Sequence, residues 1–416
     1  MKKIIIFVAL AMSAAFCFAE KSYFGQLEDF DGKHTDGVYD KTKYERTGEV
    51  ITYTAKDLDG SKFISVVAKL KKGQTLVLDG SEGVFYFSDT AKLRASGVTI
   101  KGVNNAVLDF KNGFEYNDKQ IQKAIEAVRK QAKKGNGHFL STYDKEMSKS
   151  LGAGRGLEIC GEYNLIEDLV IQNASDNGLL ISYGGNFNII KNVETRFNGD
   201  AGIQLNGKKI NSVDCSEDFE EDGPHDNKFL NCYSHDNCDP WNLGENADGF
   251  AVKAGVGDFN YFENCRSEYN SDDGWDCFRI RGSCTLVNCQ ANYNGLNSAT
   301  KEAWGEYANG NGFKMGGGSK DSYPLHPHAQ YLKDCTAIGN RGNSGVGFDR
   351  NNQHGSLYLV NCFATDNHAN LMRNGTLRHQ DYSIGEYGKK CYLENCSVGS
   401  ENDVPDSVYA EYIKIK

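Results

Sequence analysis

Asn264-Cys265-Arg266-Ser267-Glu268-Tyr269-Asn270-Ser271-Asp272-Asp273-Gly274-Trp275-Asp276 is the stretch from which the fold is read. It contains an Asn-Cys pair, a second Asn six positions after the first, and a Gly followed by a large apolar residue. The first half of that frame recurs as Asn192-Val193 with Asn198, Asn231-Cys232 with Asn237, and Asn288-Cys289 with Asn294. It continues as Asp334-Cys335 with Asn340 and Asn361-Cys362 with Asn367, and decays at Asn395-Cys396. The second half recurs as Gly202-Ile203, Gly249-Phe250, Gly312-Phe313 and Gly347-Phe348. The shortest spacing, from Asn264 to Asn288, is 24 residues, and longer ones hold polar insertions.

A unit of that length cannot bury its apolar face alone, whereas stacked copies can, which is the logic of a solenoid. No helical apolar period runs through the units, and their corners are rich in helix breakers. A leucine scaffold is absent. The reading that remains is all-β: a parallel β-helix whose coils stack about 4.8 Å apart. Corner asparagines then form ladders of side-chain amides. The column Cys232, Cys265, Cys289, Cys335, Cys362 and Cys396 points inward as small hydrophobes rather than paired disulfides. Cys160, Cys215, Cys238, Cys277, Cys284 and Cys391 lie outside the column and could include a bridge.

Lys2 and Lys3, an apolar run from Ile4 to Phe18 and the small Ala19 form a secretory signal over residues 1–19, so export is expected. Residues 20–416 read as one β-helix domain. Val50-Ile51-Thr52-Tyr53 and Thr75-Leu76-Val77-Leu78 open the stack. Residues 117–150 are an insertion whose stretch Gln120 to Lys134 is the one expected helix, with Ile121, Ala124, Ile125 and Val128 on its apolar stripe. Residues 376–416 read as a last coil and cap. Acidic residues outnumber basic ones 56 to 46, a net charge of −10, and no Lys/Arg stripe suits a nucleic acid. No apolar run of about 20 residues predicts a membrane span. Nothing points to an oligomer, so a monomer is expected.

Aligning the units on the Gly-aromatic step sends Phe250, Trp275 and Phe313 inward and the following residue outward. The outward column is then Gln204, Ala251, Asp276, Lys314, Asp349, and the residue before the glycine gives Ala201, Asp248, Asp273, Asn311, Val346. Asp248, Asp272, Asp273 and Asp276 therefore crowd within one or two coils, with Lys314 one coil on. Asp273 and Asp276 are three apart, and a bend at Gly274 is expected to let them converge. Crowded carboxylates suit a hard cation such as Ca²⁺. Zinc would need His or Cys nearby, and an EF-hand would need Glu where Ser283 stands. A cation that only staples the coils is the bland alternative. A lysine beside a cation would have a depressed pKa and could act as a general base.

These residues resemble polysaccharide lyase family 9: Asn246-Ala247-Asp248-Gly249-Phe250-Ala251 with Lys253, the Asn270–Asp276 run, Gly310-Asn311-Gly312-Phe313-Lys314, and Gly347-Phe348-Asp349-Arg350-Asn351. The likeness extends over roughly residues 150–375. It implies a right-handed, pectate-lyase-like parallel β-helix that cleaves pectate (polygalacturonate) by β-elimination. It implies Asp248, Asp272, Asp273 and Asp276 as Ca²⁺ ligands and Lys314 as the base. Lys253, Arg279, Arg350 and Asn351 are candidate substrate contacts, although Arg350 falls on an inward parity. Rival readings are a β-helical hydrolase of polygalacturonate, a lyase for another uronate polymer, and a noncatalytic carbohydrate-binding β-helix. The hydrolases' Gly-His-Gly and Arg-Ile-Lys phrases are missing.

Overall fold

The computed structural model of the chain describes residues 41–58, 60–110, 154–207, 223–239, 244–253, 255–280, 282–304, 308–317, 328–351, 353, 355–371, 376–384, 391–399 and 413–414. All of these belong to one unit, residues 40–416. The expected signal segment and the helix over 120–134 lie outside the described residues.

The strand order is that of a parallel β-helix. One long ladder runs from Val50–Thr54 through Thr75–Asp79 and Thr99–Val103 to Cys391–Glu394 and Ile413–Lys414. A second runs alongside it through Tyr233–His235, Arg266–Glu268, Gln290–Asn292, Thr336–Ile338 and Phe363–Thr365. The two share the long strands Leu165–Gln172 and Ile189–Arg196. A separate nine-stranded sheet carries the Gly-aromatic steps and the outward column that follows them. Its strands are β1 (Ala91–Leu93), β2 (Leu157–Ile159), β3 (Leu179–Ile181), β4 (Ile203–Leu205) and β5 (Phe250–Val252), followed by β6 (Trp275–Asp276), β7 (Phe313–Lys314), β8 (Phe348–Asp349) and β9 (Tyr382–Ser383).

The recurring Asn-Cys phrase is the corner between the two ladders. Asn231, Asn264, Asn288 and Asn361 all sit at φ of 50–54°, the left-handed region that asparagine tolerates better than most residues. Their side chains bond coil to coil, Asn264 donating to Asn231 at 3.2 Å and Asn288 to Asn264 at 2.6 Å. The next residue is the buried cysteine, and all six column cysteines carry free thiols. The asparagine six positions later begins a second, fully buried ladder. Asn198 donates to Asn237 at 2.8 Å, Asn237 to Asn270 at 2.7 Å, and Asn340 to Asn367 at 2.7 Å. That ladder turns each coil into the site sheet at a fixed height.

Inside, the residues after Gly249, Gly274, Gly312 and Gly347 form an aromatic stack. Phe250 lies 4.4 Å from Trp275, Trp275 is 4.9 Å from Phe313, and Phe313 is 5.0 Å from Phe348. Each glycine is required by proximity rather than by dihedral angle. A Cβ on Gly274 would lie 2.5 Å from the Gly312 carbonyl oxygen and 2.8 Å from Ala291 Cβ. The expected role of Gly274 as a bend is thereby replaced: Asp273 precedes strand β6, so strand alternation does not govern it.

One helix was not expected. Residues Gly60–Lys69 form α1, whose buried Phe63 packs 4.9 Å from Phe87. Its β-branched Ile64-Ser65-Val66-Val67 run suits a strand by propensity, but burial of Phe63 and Val67 on one face decides for the helix.

Candidate active site

The site-sheet register is Gln204, Ala251, Asp276, Lys314, Asp349 on successive strands β4 to β8. This is the outward column read from the sequence. Just before strands β5 and β6, Asp248 and Asp273 stand at the same level, and the Asp273 amide donates to Asp248 Oδ1 at 3.1 Å. Asp248, Asp273 and Asp276 each offer an oxygen, and these oxygens all lie within 4.8 Å of one another. All three residues are buried.

Two lysines face this triad. Lys314 Nζ lies 2.9 Å from Asp273 Oδ2 and 3.4 Å from Asp276 Oδ1. Lys253 Nζ lies 2.9 Å from Asp248 Oδ2 and 3.1 Å from Asp276 Oδ2. Asp272 stands apart from the triad: its oxygens accept the backbone amides of Asn309 at 2.6 Å and Asn246 at 2.9 Å, so it fastens two loops around the site. Each of its oxygens still keeps a lone pair.

Burial pushes the Asp248 and Asp273 carboxyls well above the usual carboxylate range, with neighbouring carboxylates adding to the effect. Asp276 is held below that range against its own burial, because both lysines touch it. Burial would lower the Lys314 ammonium; Asp273 and Asp276 outweigh it and hold Lys314 well above its ordinary value. The depressed lysine expected from the sequence therefore depends on a cation offsetting those carboxylates.

Asp248 Oδ2 and Asp276 Oδ1 are buried and receive no well-directed hydrogen bond among the described residues. Oxygens sharing one Ca²⁺ at about 2.3–2.6 Å can be at most about 5 Å apart, a limit the triad meets with all-oxygen donors. The donor set fits a hard cation.

The proposed substrate contacts are dispersed. Lys253 belongs to the acidic cluster. Arg279 holds its guanidinium 5.0 Å from the Phe278 ring, with Nε buried and donating no hydrogen bond among the described residues. Asn351 donates through Nδ2 to the Gly316 carbonyl at 3.1 Å. Arg350 follows its inward parity: it is buried and donates to the carbonyls of Gln353 at 2.7 Å and Gly355 at 3.0 Å. Phe278 is the residue the sequence reading passed over. Its ring lies 5.7 Å from Lys314 Nζ and beside Arg279, and the signal available was parity, since it follows inward Cys277.

The family described as Pel9A-like, right-handed β-helix region matches residues 47–381. This chain belongs to that family. Among its relatives, Pectate lyase L of Paenibacillus polymyxa (strain SC2) is 40% identical over 221 residues, covering 52% of this chain and 44% of that protein. Pectate lyase L of Dickeya dadantii (strain 3937) is 28% identical over 259 residues, covering 60% of this chain and 50% of that protein. The chain thus spans about half the length of these curated relatives. The crystal structure of pectate lyase Pel9A superposes with a TM-score of 0.60 at 21% identity, over 88% of this chain and 80% of that one. The Pel9A-like family fixes the coil as right-handed.

Proposed function

We propose that this chain is an exported, calcium-dependent pectate lyase that cleaves polygalacturonate by β-elimination with Lys314 as the base. The observation that carries the reading is Lys314 Nζ, 2.9 Å from Asp273 on the rim of a buried acidic triad. The pectate-lyase names of the relatives support the substrate class.

Asp248, Asp273 and Asp276 would hold the ion, and Asp272 would join them as a fourth carboxylate through the lone pairs left beside the two amides it accepts. A bound calcium ion would offset these carboxylates and draw electron density from a uronate carboxylate, making the C5 proton more acidic. Lys314, once neutral, takes that proton. The C5 electron pair becomes the C4–C5 double bond, and the C4–O bond breaks with its pair on the leaving oxygen. No water is added. Arg279, whose guanidinium lies against the same Phe278 ring as Lys314 Nζ and keeps an unsatisfied donor, and Asn351 are proposed to orient substrate carboxylates and hydroxyls. Arg350 supports the loop after β8 through its carbonyl bonds rather than reaching outward.

The deciding experiment is cleavage of polygalacturonate by wild type and K314A, each with calcium and with chelator, followed by the ultraviolet absorbance of the unsaturated product. Only wild type with calcium is expected to raise it. Equal rates in all four arms end the proposal, and cleavage without absorbance points to a hydrolase.

A further inference from the structure

The acidic triad is neutralised in an unequal way. Lys314 comes from within the sheet column and its side chain is 9% exposed. Lys253 comes from just past strand β5, its side chain is 20% exposed, and it bridges Asp248 Oδ2 and Asp276 Oδ2. Asp248 Oδ2 is buried without a directed hydrogen bond, so Lys253 is its chief compensation. Asp200, one coil back, also acts on Lys253 electrostatically, giving this ammonium a carboxylate neighbour outside the triad.

We propose that Lys253 is a resident counter-ion of the acidic triad: it holds Asp248 and Asp276 together in the metal-free protein and gives way to calcium when the ion enters. The role rests on the calcium reading above. It makes Lys253 a positioning residue for the triad, and once released its ammonium is free to meet a substrate carboxylate. The physical reason is competition for the same oxygens. Carboxylates buried this close repel unless positive charge lies among them, and an ammonium can supply that charge without metal. A dication using the same oxygens meets a like charge unless the ammonium moves.

Removing Lys253 therefore has effects of opposite sign. The metal-free protein loses a counter-ion and becomes less stable, while calcium loses a competitor and binds more tightly. A lysine that only braced the fold would weaken both.

The test is calcium affinity by titration calorimetry, with thermal midpoints in chelator and in excess calcium, for wild type, K253Q and K253R. K253Q is expected to bind calcium about tenfold more tightly, equivalent to about 1.4 kcal/mol. It should melt below wild type in chelator and regain most of the difference in excess calcium, while K253R behaves as wild type. If wild type binds calcium and K253Q binds it equally or more weakly, the counter-ion role is overturned. If wild type binds none, the calcium reading itself fails. Should K253Q not fold, lysine-selective NMR of wild type decides. The ammonium signal missing from K253R must move on calcium addition, and a stationary signal overturns the role.

Discussion

Lys314 and Asp273 are 41 positions apart in the chain, yet Lys314 Nζ donates to Asp273 Oδ2 at 2.9 Å. Stacking creates this pair: strand β7 lies directly on β6, and the loop before β6 brings Asp273 to the level of the lysine above it. Asp273 Oδ1 meanwhile accepts the Asn311 amide at 2.8 Å, so the carboxylate is held from two directions.

Lys314→Arg keeps a cation beside Asp273 but removes a group that can be neutral near physiological pH. Lyase turnover should fall by roughly 10²–10⁴-fold, the scale of general-base catalysis. The thermal midpoint should stay close to wild type. Full activity in K314R would remove Lys314 from the role of base.

Asp272→Ala deprives the Asn246 and Asn309 amides of their acceptor. Stability should drop by about 1–3 kcal/mol per unsatisfied donor that stays dry. The loss should persist with calcium present, as checked by urea unfolding in both conditions. Asp248→Ala removes a triad oxygen as well as the acceptor of the Asp273 amide, so calcium affinity in calorimetry should fall along with stability.

Gly274→Ala places a methyl group 2.5 Å from the Gly312 carbonyl oxygen and 2.8 Å from Asn294 Nδ2. The coils must separate locally, at a cost of about 1–3 kcal/mol. Because Asp273 adjoins this residue, calcium affinity should fall together with the denaturation midpoint.

His235 bonds Asp236 at 2.7 Å through Nδ1 and Glu194 at 3.2 Å through Nε2. Burial would lower its pKa, but these two carboxylates outweigh it and raise the imidazole above its ordinary 6.5. A raised folded-state pKa means stability that is fully present below about pH 6.5 and lost as pH rises through the folded value. Wild type should therefore exceed His235→Gln in stability on the acid side, with the gap narrowing towards alkaline pH. A pH-independent gap in urea midpoints would contradict this assignment.

The column thiols Cys232, Cys265, Cys289, Cys335 and Cys362 are 0–1% exposed, whereas Cys396 is half-buried at the end of the column. A thiol reagent should modify Cys396 first and reach the other five only on unfolding. Mass spectrometry of the labelled peptides measures this order.

Much of this was legible because a β-helix writes its register into the chain. The Asn-Cys corner and the Gly-aromatic step recur once per coil, so aligning them placed Asp276 against Lys314 and Lys314 against Asp349, the pairing found between β6, β7 and β8. Parity also sent Arg350 inward. Helix α1 was not legible: its Ile64, Val66 and Val67 have strand propensity, and burial of Phe63 and Val67 on one face, with Phe63 against Phe85 and Phe87, favours the helix.

The amino-acid order by itself determined which residues share a coil height and which face of a strand they occupy, since both follow from fixed periods. It could not decide how side chains at that height divide the charge among themselves. Asp272 turned to backbone amides, while Lys253 reached back over two carboxylates. Those choices depend on loop paths and on burial, which determine where unbalanced charge is costly, and only the folded arrangement sets them.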